Sequence, residues 1–461
     1  MKIPRLFNLC LLSGILIASC NNNGSSSKQT SNMNSANSKT VAWAATTNIY
    51  EVNTRQYTPE GTFNAFAKEI PRLKEMGVET LWFMPITPIA QKNKKGSLGS
   101  PYACSDYTSI NPEFGTLEDF QKLVKEAHAS GMKVIIDWVA NHTGWDHVWT
   151  NSNPEYYLKD SATGDFQIAS GMDDIIELDY SNPALRQAMV DAMKYWVETC
   201  DIDGFRCDLA AWVEVDFWQE ARPKVDSVKK LFWLGEFDEL DNPDYGKVFD
   251  ASYTWSWMHK TREYYEHGLS LPALDSLLAR YNEIGDGSMR AWFTSNHDEN
   301  TWNGTEYEKY GNMAGALAVF SATWNGVPLL YSGQELPNHK RLEFFERDPI
   351  QWTGTYEKAD FYKTLLQLKS NNPALRGADP AVSTYRLNTS SPDQVMAYLR
   401  KNGDSEVLVV INFSKENLSF TISDEKVARN WQDVFTNDGK NIHVDEQWSL
   451  AGWEYRVFSR K

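Results

Sequence analysis

The chain is poor in several features that would place a protein quickly. It has five cysteines in 461 residues and no CxxC pair, which argues against a zinc site or a disulfide framework. Basic charge is scarce: 45 Lys and Arg against 61 Asp and Glu leave a formal net charge of −16. Nucleic acids and anionic membrane surfaces both need a basic face, so neither is expected as a partner. Past the N-terminus no apolar run reaches the length of about 18 residues that a spanning helix needs. No GxGxxG follows the first strand-like segment, so the mark of a dinucleotide-binding sheet is missing. These absences leave room for an uncharged substrate.

What the chain does have is apolar and aromatic substance. Hydrophobic residues make up 42%, and 18 Trp, 21 Tyr and 21 Phe bring the aromatics to 13%. That suffices for a large core, and on composition alone the core accounts for the aromatics. The length predicts one large domain and a smaller one. At the N-terminus, Lys2 and Arg5 precede an apolar run over 6–18, and small residues lead to Cys20. This predicts a secretory signal peptide over 1–20. It also resembles a bacterial lipoprotein signal, in which cleavage leaves Cys20 as a lipidated first residue. Residues 21–39, rich in Asn and Ser, then read as a flexible tether. The expectation is an exported chain, anchored to the cell envelope and touching a membrane only through its lipid. Cys104, Cys200 and Cys207 remain in the mature part.

From residue 40 to 376, short apolar strands alternate with amphipathic helices. The strand candidates are 48–53, 80–85, 133–139, 204–210, 231–236, 248–254, 290–296 and 326–333. Phe63, Phe66, Ile70, Leu73 and Met76 recur at helical spacing. Thr116 opens a helix that Gly131 ends, and Pro183 starts another. Eight such units predict a (β/α)8 barrel, with a doubly wound open sheet as the alternative. The connection over 140–178 is long enough to be a small inserted subdomain. Turn-rich strand segments over 377–461 predict a C-terminal antiparallel β-sandwich.

In such a barrel, chemistry belongs at the C-terminal ends of the strands. There the chain places polar groups that core packing does not require. The third strand runs into Asp137 and then Asn141-His142, and the fourth carries Arg206 and Asp208. The fifth ends at Glu236, and the seventh runs into Asn296-His297-Asp298. Any one of these could be a capping residue, a core histidine or a structural ion pair. Together they suit retaining glycoside hydrolysis, which needs a nucleophilic carboxylate and a protonated carboxylic acid about 5–5.5 Å apart. A guanidinium two residues away on the same strand face is expected to keep Asp208 ionised. Glu236 closes an apolar run and is the candidate acid. Asp298 is a third carboxylate that could bind sugar hydroxyls, and His142 and His297 could donate to the same hydroxyls.

The four segments resemble, in order, the signature regions of the α-amylase family, glycoside hydrolase family 13. Residues 137–142 are similar to the first region, 204–208 to the second, 235–236 to the third and 296–298 to the fourth. The resemblance implies that Asp208 is the nucleophile, Glu236 the general acid/base and Asp298 the transition-state stabiliser. Arg206, His142 and His297 would surround the sugar at the cleavage point, and Tyr102 would stack beneath it. It also implies a structural calcium held through Asn141, with Glu177 standing where an Asp is usual. The chain departs from the family where Leu209-Ala210-Ala211-Trp212 replaces a Lys-His pair, so Trp212 is expected to shape the leaving-group side. The activity expected is hydrolysis of α-1,4-linked glucans or maltooligosaccharides. An exo-acting α-glucosidase, a transglycosylase of the same family and a non-catalytic glycan-binding lipoprotein are the alternatives.

Overall fold

Strands β1 (Ile49–Val52), β2 (Thr80–Phe83), β3 (Lys133–Val139), β4 (Gly204–Asp208), β5 (Phe232–Asp238), β6 (Ala251–Tyr253), β7 (Met289–Trp292) and β8 (Val327–Tyr331) pair in parallel and in sequence order, and β8 closes onto β1. This is a computed structural model, and it describes residues 40–285 and 287–461. The expected signal over 1–20, the tether over 21–39 and Cys20 lie outside those residues.

Closure excludes the open sheet and follows from how each strand divides its side chains. Successive residues point to opposite faces. Ile49, Trp82, Ile135, Phe232 and Leu234 fill the barrel, while Phe83, Trp138, Phe205, Cys207 and Trp233 pack outward with the helices. Helices are set where their caps predict. Thr116 and Asp119 form a reciprocal capping box at the start of Leu117–Ala129, an arrangement that stabilises a helix end by about 1 kcal/mol. Pro183 opens Pro183–Cys200, with the Asn182 side chain accepting from Ala184 N–H at 2.9 Å. That helix covers β4 through Leu185, Met189, Met193 and Trp196.

Six strands are shorter than expected, and two of them shape the site. The seventh stops at Trp292, so Asn296 sits in the loop beyond it, and His297 and Asp298 open a helical turn that continues as a π-helical turn over Glu299–Asn303. The fourth stops at Asp208, because Leu209 adopts a left-handed conformation with φ of 42° that no strand continues. Between β3 and Pro183–Cys200 the chain forms a small antiparallel pair, His142–Gly144 with Ile175–Glu177, joined by short helical turns.

Beyond the barrel, six antiparallel strands form one sheet, and Leu418–Thr421 pairs with Gln447–Leu450 in a second. Phe420, Trp448 and Leu450 of the small sheet share a core with Val395, Leu399 and Leu408 of the large one. The other face of the large sheet, with Met396, Tyr398, Val407 and Val409, packs on barrel residues including Phe320 and Trp324. Cys104, Cys200 and Cys207 are buried free thiols.

Candidate active site

Arg206 organises the C-terminal mouth of the barrel. It is fully buried, its Nη1 lies 2.9 Å from Asp137 Oδ1 and 2.9 Å from Asp208 Oδ1, and its Nη2 lies 2.9 Å from Glu236 Oε2. Ladder register sets this up: Asp137 stands opposite Arg206 across β3 and β4, and Leu234, two residues before Glu236, opposes Arg206 on β5. The rings of Trp82, Tyr102 and Tyr253 surround the guanidinium at 5.0, 5.9 and 5.5 Å. A buried cation needs such partners, and here three carboxylates share one.

That sharing alters the expectation for Asp208. Burial raises its pKa, Arg206 only partly opposes this, and Asp137 and Asp298 add to the rise. The guanidinium therefore moderates a burial penalty and does not hold Asp208 below the ordinary carboxylate range. Glu236 rises further, to about 7, through burial first and then the nearby Asp208 and Asp298, against Arg206. Its Oε2 also accepts the Leu209 backbone N–H at 2.8 Å, a donor that the left-handed turn aims inward. Burial pushes Asp298 up as well, but the His297 ring outweighs this and, with the Trp302 N–H, holds Asp298 below its usual value. One cavity thus keeps a proton on Glu236 near neutral pH, holds Asp298 ionised, and leaves Asp208, raised to about 6, ionised only above that pH.

Asp208, Glu236 and Asp298 line a single cavity of about 230 Å³ together with Tyr102 and His142. Tyr102 donates to Asp137 Oδ2 at 3.0 Å, lies 2.8 Å from His297 Nε2, and stacks on the His297 ring at 5.3 Å. His142 is pushed down to about 4 by burial, so it is neutral, and its Nε2 has no partner. An unsatisfied buried ring nitrogen at a cavity wall is costly unless something else binds it.

Trp212 is not among the residues lining this cavity. It ends the turn Ala210–Trp212 and is 56% exposed. The exposed tryptophan that does line the cavity is Trp302, in the π-helical turn after Asp298. It packs against Phe344 and Phe345 at 5.5 and 5.9 Å, and Phe344 stacks on Tyr102. Sequence reasoning missed this wall because Phe344 and Phe345 follow β8 in a stretch without strand or helix pattern. Trp302 lies only four residues past Asp298 and was within reach of it. Asp137 was singled out as a strand-end carboxylate but not as a third partner of Arg206.

Asn141 and Glu177 supply only part of the six to eight oxygen ligands that calcium takes. Glu177 Oε2 accepts from Gln167 at 2.8 Å, and the Asn141 backbone carbonyl accepts from Leu178 N–H at 3.2 Å. Among the described residues no group of three or more His, Cys, Asp or Glu is arranged to hold a metal. The Lys95 ammonium lies 3.1 Å from Asp173 and 2.8 Å from Asp174 in the same insertion.

Residues 25–171 and 155–383 match the family described as alpha amylase, catalytic domain, and residues 395–454 match the alpha-amylase SusG C-terminal domain. The chain belongs to the α-amylase family. Among curated relatives, alpha-amylase MalA of Haloarcula japonica is 28% identical over 81% of this chain, which spans 56% of that protein. Among solved structures, a noncanonic maltogenic alpha-amylase, AmyB of Thermotoga neapolitana, superposes with a TM-score of 0.82 at 30% identity, over 90% of this chain and 99% of that one. An alpha-amylase of Lactobacillus plantarum gives 0.81 at 28% identity, over 91% of this chain and 100% of that one.

Proposed function

We propose that the chain is a retaining α-glycoside hydrolase that cleaves α-1,4-glucosidic bonds of starch-like glucans and maltooligosaccharides. Asp208 attacks C1 of the sugar lying over Tyr102, the bond from C1 to the bridging oxygen breaks, and Glu236 gives its proton to that oxygen. The product is a glycosyl ester on Asp208. Water then attacks C1, Glu236 takes its proton, and Asp208 departs as a carboxylate. Each step inverts C1, so the α configuration is retained. Asp298 accepts from ring hydroxyls, and His142 and His297 bind the same sugar. Arg206 holds Asp208 and Glu236 in fixed relation.

The observation that carries this reading is the shared cavity of Asp208, Glu236 and Asp298, with Glu236 near 7 and Asp298 below its usual value. Relatives named alpha-amylase and maltogenic alpha-amylase support an α-glucan substrate. The test is a product profile on starch, pullulan and maltooligosaccharides, with the anomer of the first product read by proton NMR. Release of α-anomers from starch supports the proposal, and β-anomers or no release contradict it.

Two finer proposals concern the whole chain. Cys20 is the lipidated residue that anchors the protein to the bacterial envelope, as the run before it supports. Replacing Cys20 by Ser should then move the protein from the detergent phase to the aqueous phase. Structural calcium, which the resemblance implies, would draw on Asn141 and Glu177 and takes no part in the steps above.

A further inference from the structure

Glu51 belongs to none of the strand-end segments. It stands in the middle of β1, wholly buried, with Trp82 and Tyr331 as its ladder neighbours. A carboxylate at that depth is expensive unless it is paired. Its partner is His297: Glu51 Oε1 lies 2.5 Å from His297 Nδ1 and accepts the His297 backbone N–H at 3.4 Å. Glu51 Oε2 has no hydrogen-bond partner in the barrel, so the histidine is the purpose this side chain serves. On the other side of the ring, Nε2 lies 2.8 Å from Tyr102 Oη and 3.3 Å from Asp298 Oδ2. Tyr102 stacks on the ring and Trp82 meets it at 6.1 Å, edge to face. The imidazole is therefore gripped from behind and turns its other nitrogen to Tyr102 and Asp298, which line the cavity.

We propose that Glu51 is a positioning residue for the glycosidase reaction: it anchors His297 through Nδ1 so that Nε2–H is delivered to Asp298 and to the sugar above Tyr102. This rests on the hydrolase reading above. Its physical logic is that of a carboxylate fixing the orientation and tautomer of an imidazole from the side away from the chemistry. Charge adds to orientation. Burial works against a charged ring, but Asp298 and Glu51 together push His297 well above the ordinary histidine value. The groups facing this pair are Tyr102 from the loop after β2, Asp137 from β3, Arg206 from β4, Tyr253 from β6, Tyr331 from β8, and Asp298 beside His297 itself. Only Arg206 among them is a cation, and three carboxylates already share it, so the imidazolium is the charge that balances Asp298.

Glu51→Gln separates the two contributions, since its amide oxygen can still accept from Nδ1–H but carries no charge. The expected result is a folded protein whose kcat/KM on maltooligosaccharides falls about tenfold near pH 6 and further as pH rises, because the ring now loses its proton in the working range. Nitrogen-15 NMR of the imidazole, assigned by its disappearance in His297→Ala, gives a readout that does not need turnover. Wild-type His297 should carry protons on both nitrogens at about pH 8, while the Glu51→Gln ring should titrate below that. A Glu51→Gln enzyme with the wild-type pH profile, or one that loses only thermal stability, overturns the proposal. If that variant does not fold, a neutral His297 in the wild-type protein at about pH 8 overturns it equally. If the wild type hydrolyses no α-glucan, the hydrolase reading fails, and the NMR still decides whether Glu51 holds the ring charged.

Discussion

At the scale of single residues, the site is a problem of dividing few charges among many carboxylates. One guanidinium serves Asp137, Asp208 and Glu236, so local dryness decides which group keeps a proton. With Glu236 near 7, kcat/KM should fall above about pH 7 as the acid is lost. It should fall again on the acid side as Asp208 protonates, at a pH above the ordinary carboxylate range because burial raises that group. Glu236→Gln should lower kcat on starch by about 10²- to 10⁴-fold and spare binding, since an amide cannot deliver the proton; pre-steady-state assays and calorimetry separate the two. Trp302→Ala should cut kcat/KM on maltooligosaccharides about 3- to 10-fold by removing an aromatic face from the cavity. Trp212→Ala should change it less than about twofold, as for a surface position; a larger effect of Trp212 would return it to the substrate path. Asp208, Glu236 and Asp298 were legible because they stand in or just after apolar strand segments whose texture does not explain them. Glu51 was not, since it lies inside a strand and its partner is 246 positions away.

At the scale of elements, the barrel was legible because each strand and helix announces itself locally, through period, cap and breaker. Thr116 with Asp119, Pro183, and the alternation in β4 are such signals. Strand ends were less so: the residues from Ser295 to Asp298 continue the seventh strand's texture in sequence but fall in a loop and the first turn of a short helix, where the chain turns to aim side chains inward. The aromatic wall of Trp302, Phe344 and Phe345 was illegible because it forms only when two loops meet. Gly204 shows how closely β4 is held. A Cβ there would lie 2.1 Å from the Phe232 carbonyl oxygen, so Gly204→Ala should spread β4 from β5, cost about 2–3 kcal/mol in a denaturant melt, and displace Arg206. Asp203 ties the same strand to its neighbour. Burial would raise it, but His128 at 2.7 Å, the Val134 N–H at 2.9 Å and Lys229 hold it down to about 2. A carboxyl with a depressed folded pKa stabilises above its unfolded value and loses that contribution as pH falls. Asp203 should therefore contribute on the order of 2 kcal/mol at neutral pH, lost between about pH 4 and pH 2. Asp203→Asn should flatten the acid limb of the stability curve there; an unchanged limb would contradict this.

At the scale of the whole molecule, the C-terminal sheets complete the barrel's outer surface. Tyr398 and Val409 cover barrel residues such as Phe320 and Trp324, so a chain ending at Arg376 should expose that apolar face and precipitate, which light scattering would report. Chelation should leave the melting temperature unchanged, because Asn141 and Glu177 offer too few oxygens for calcium. A fall in melting temperature on chelation, reversed by calcium, would show a site that these two residues do not define. The central claim is the covalent role of Asp208. Incubation with a slowly turned over fluorinated α-glucosyl fluoride, followed by peptide mass spectrometry, tests it most directly. One glycosyl adduct is expected, on the peptide containing Asp208 and accumulating while activity is lost. An adduct on Glu236 or Asp298, or continued α-glucan cleavage with no adduct, would contradict it.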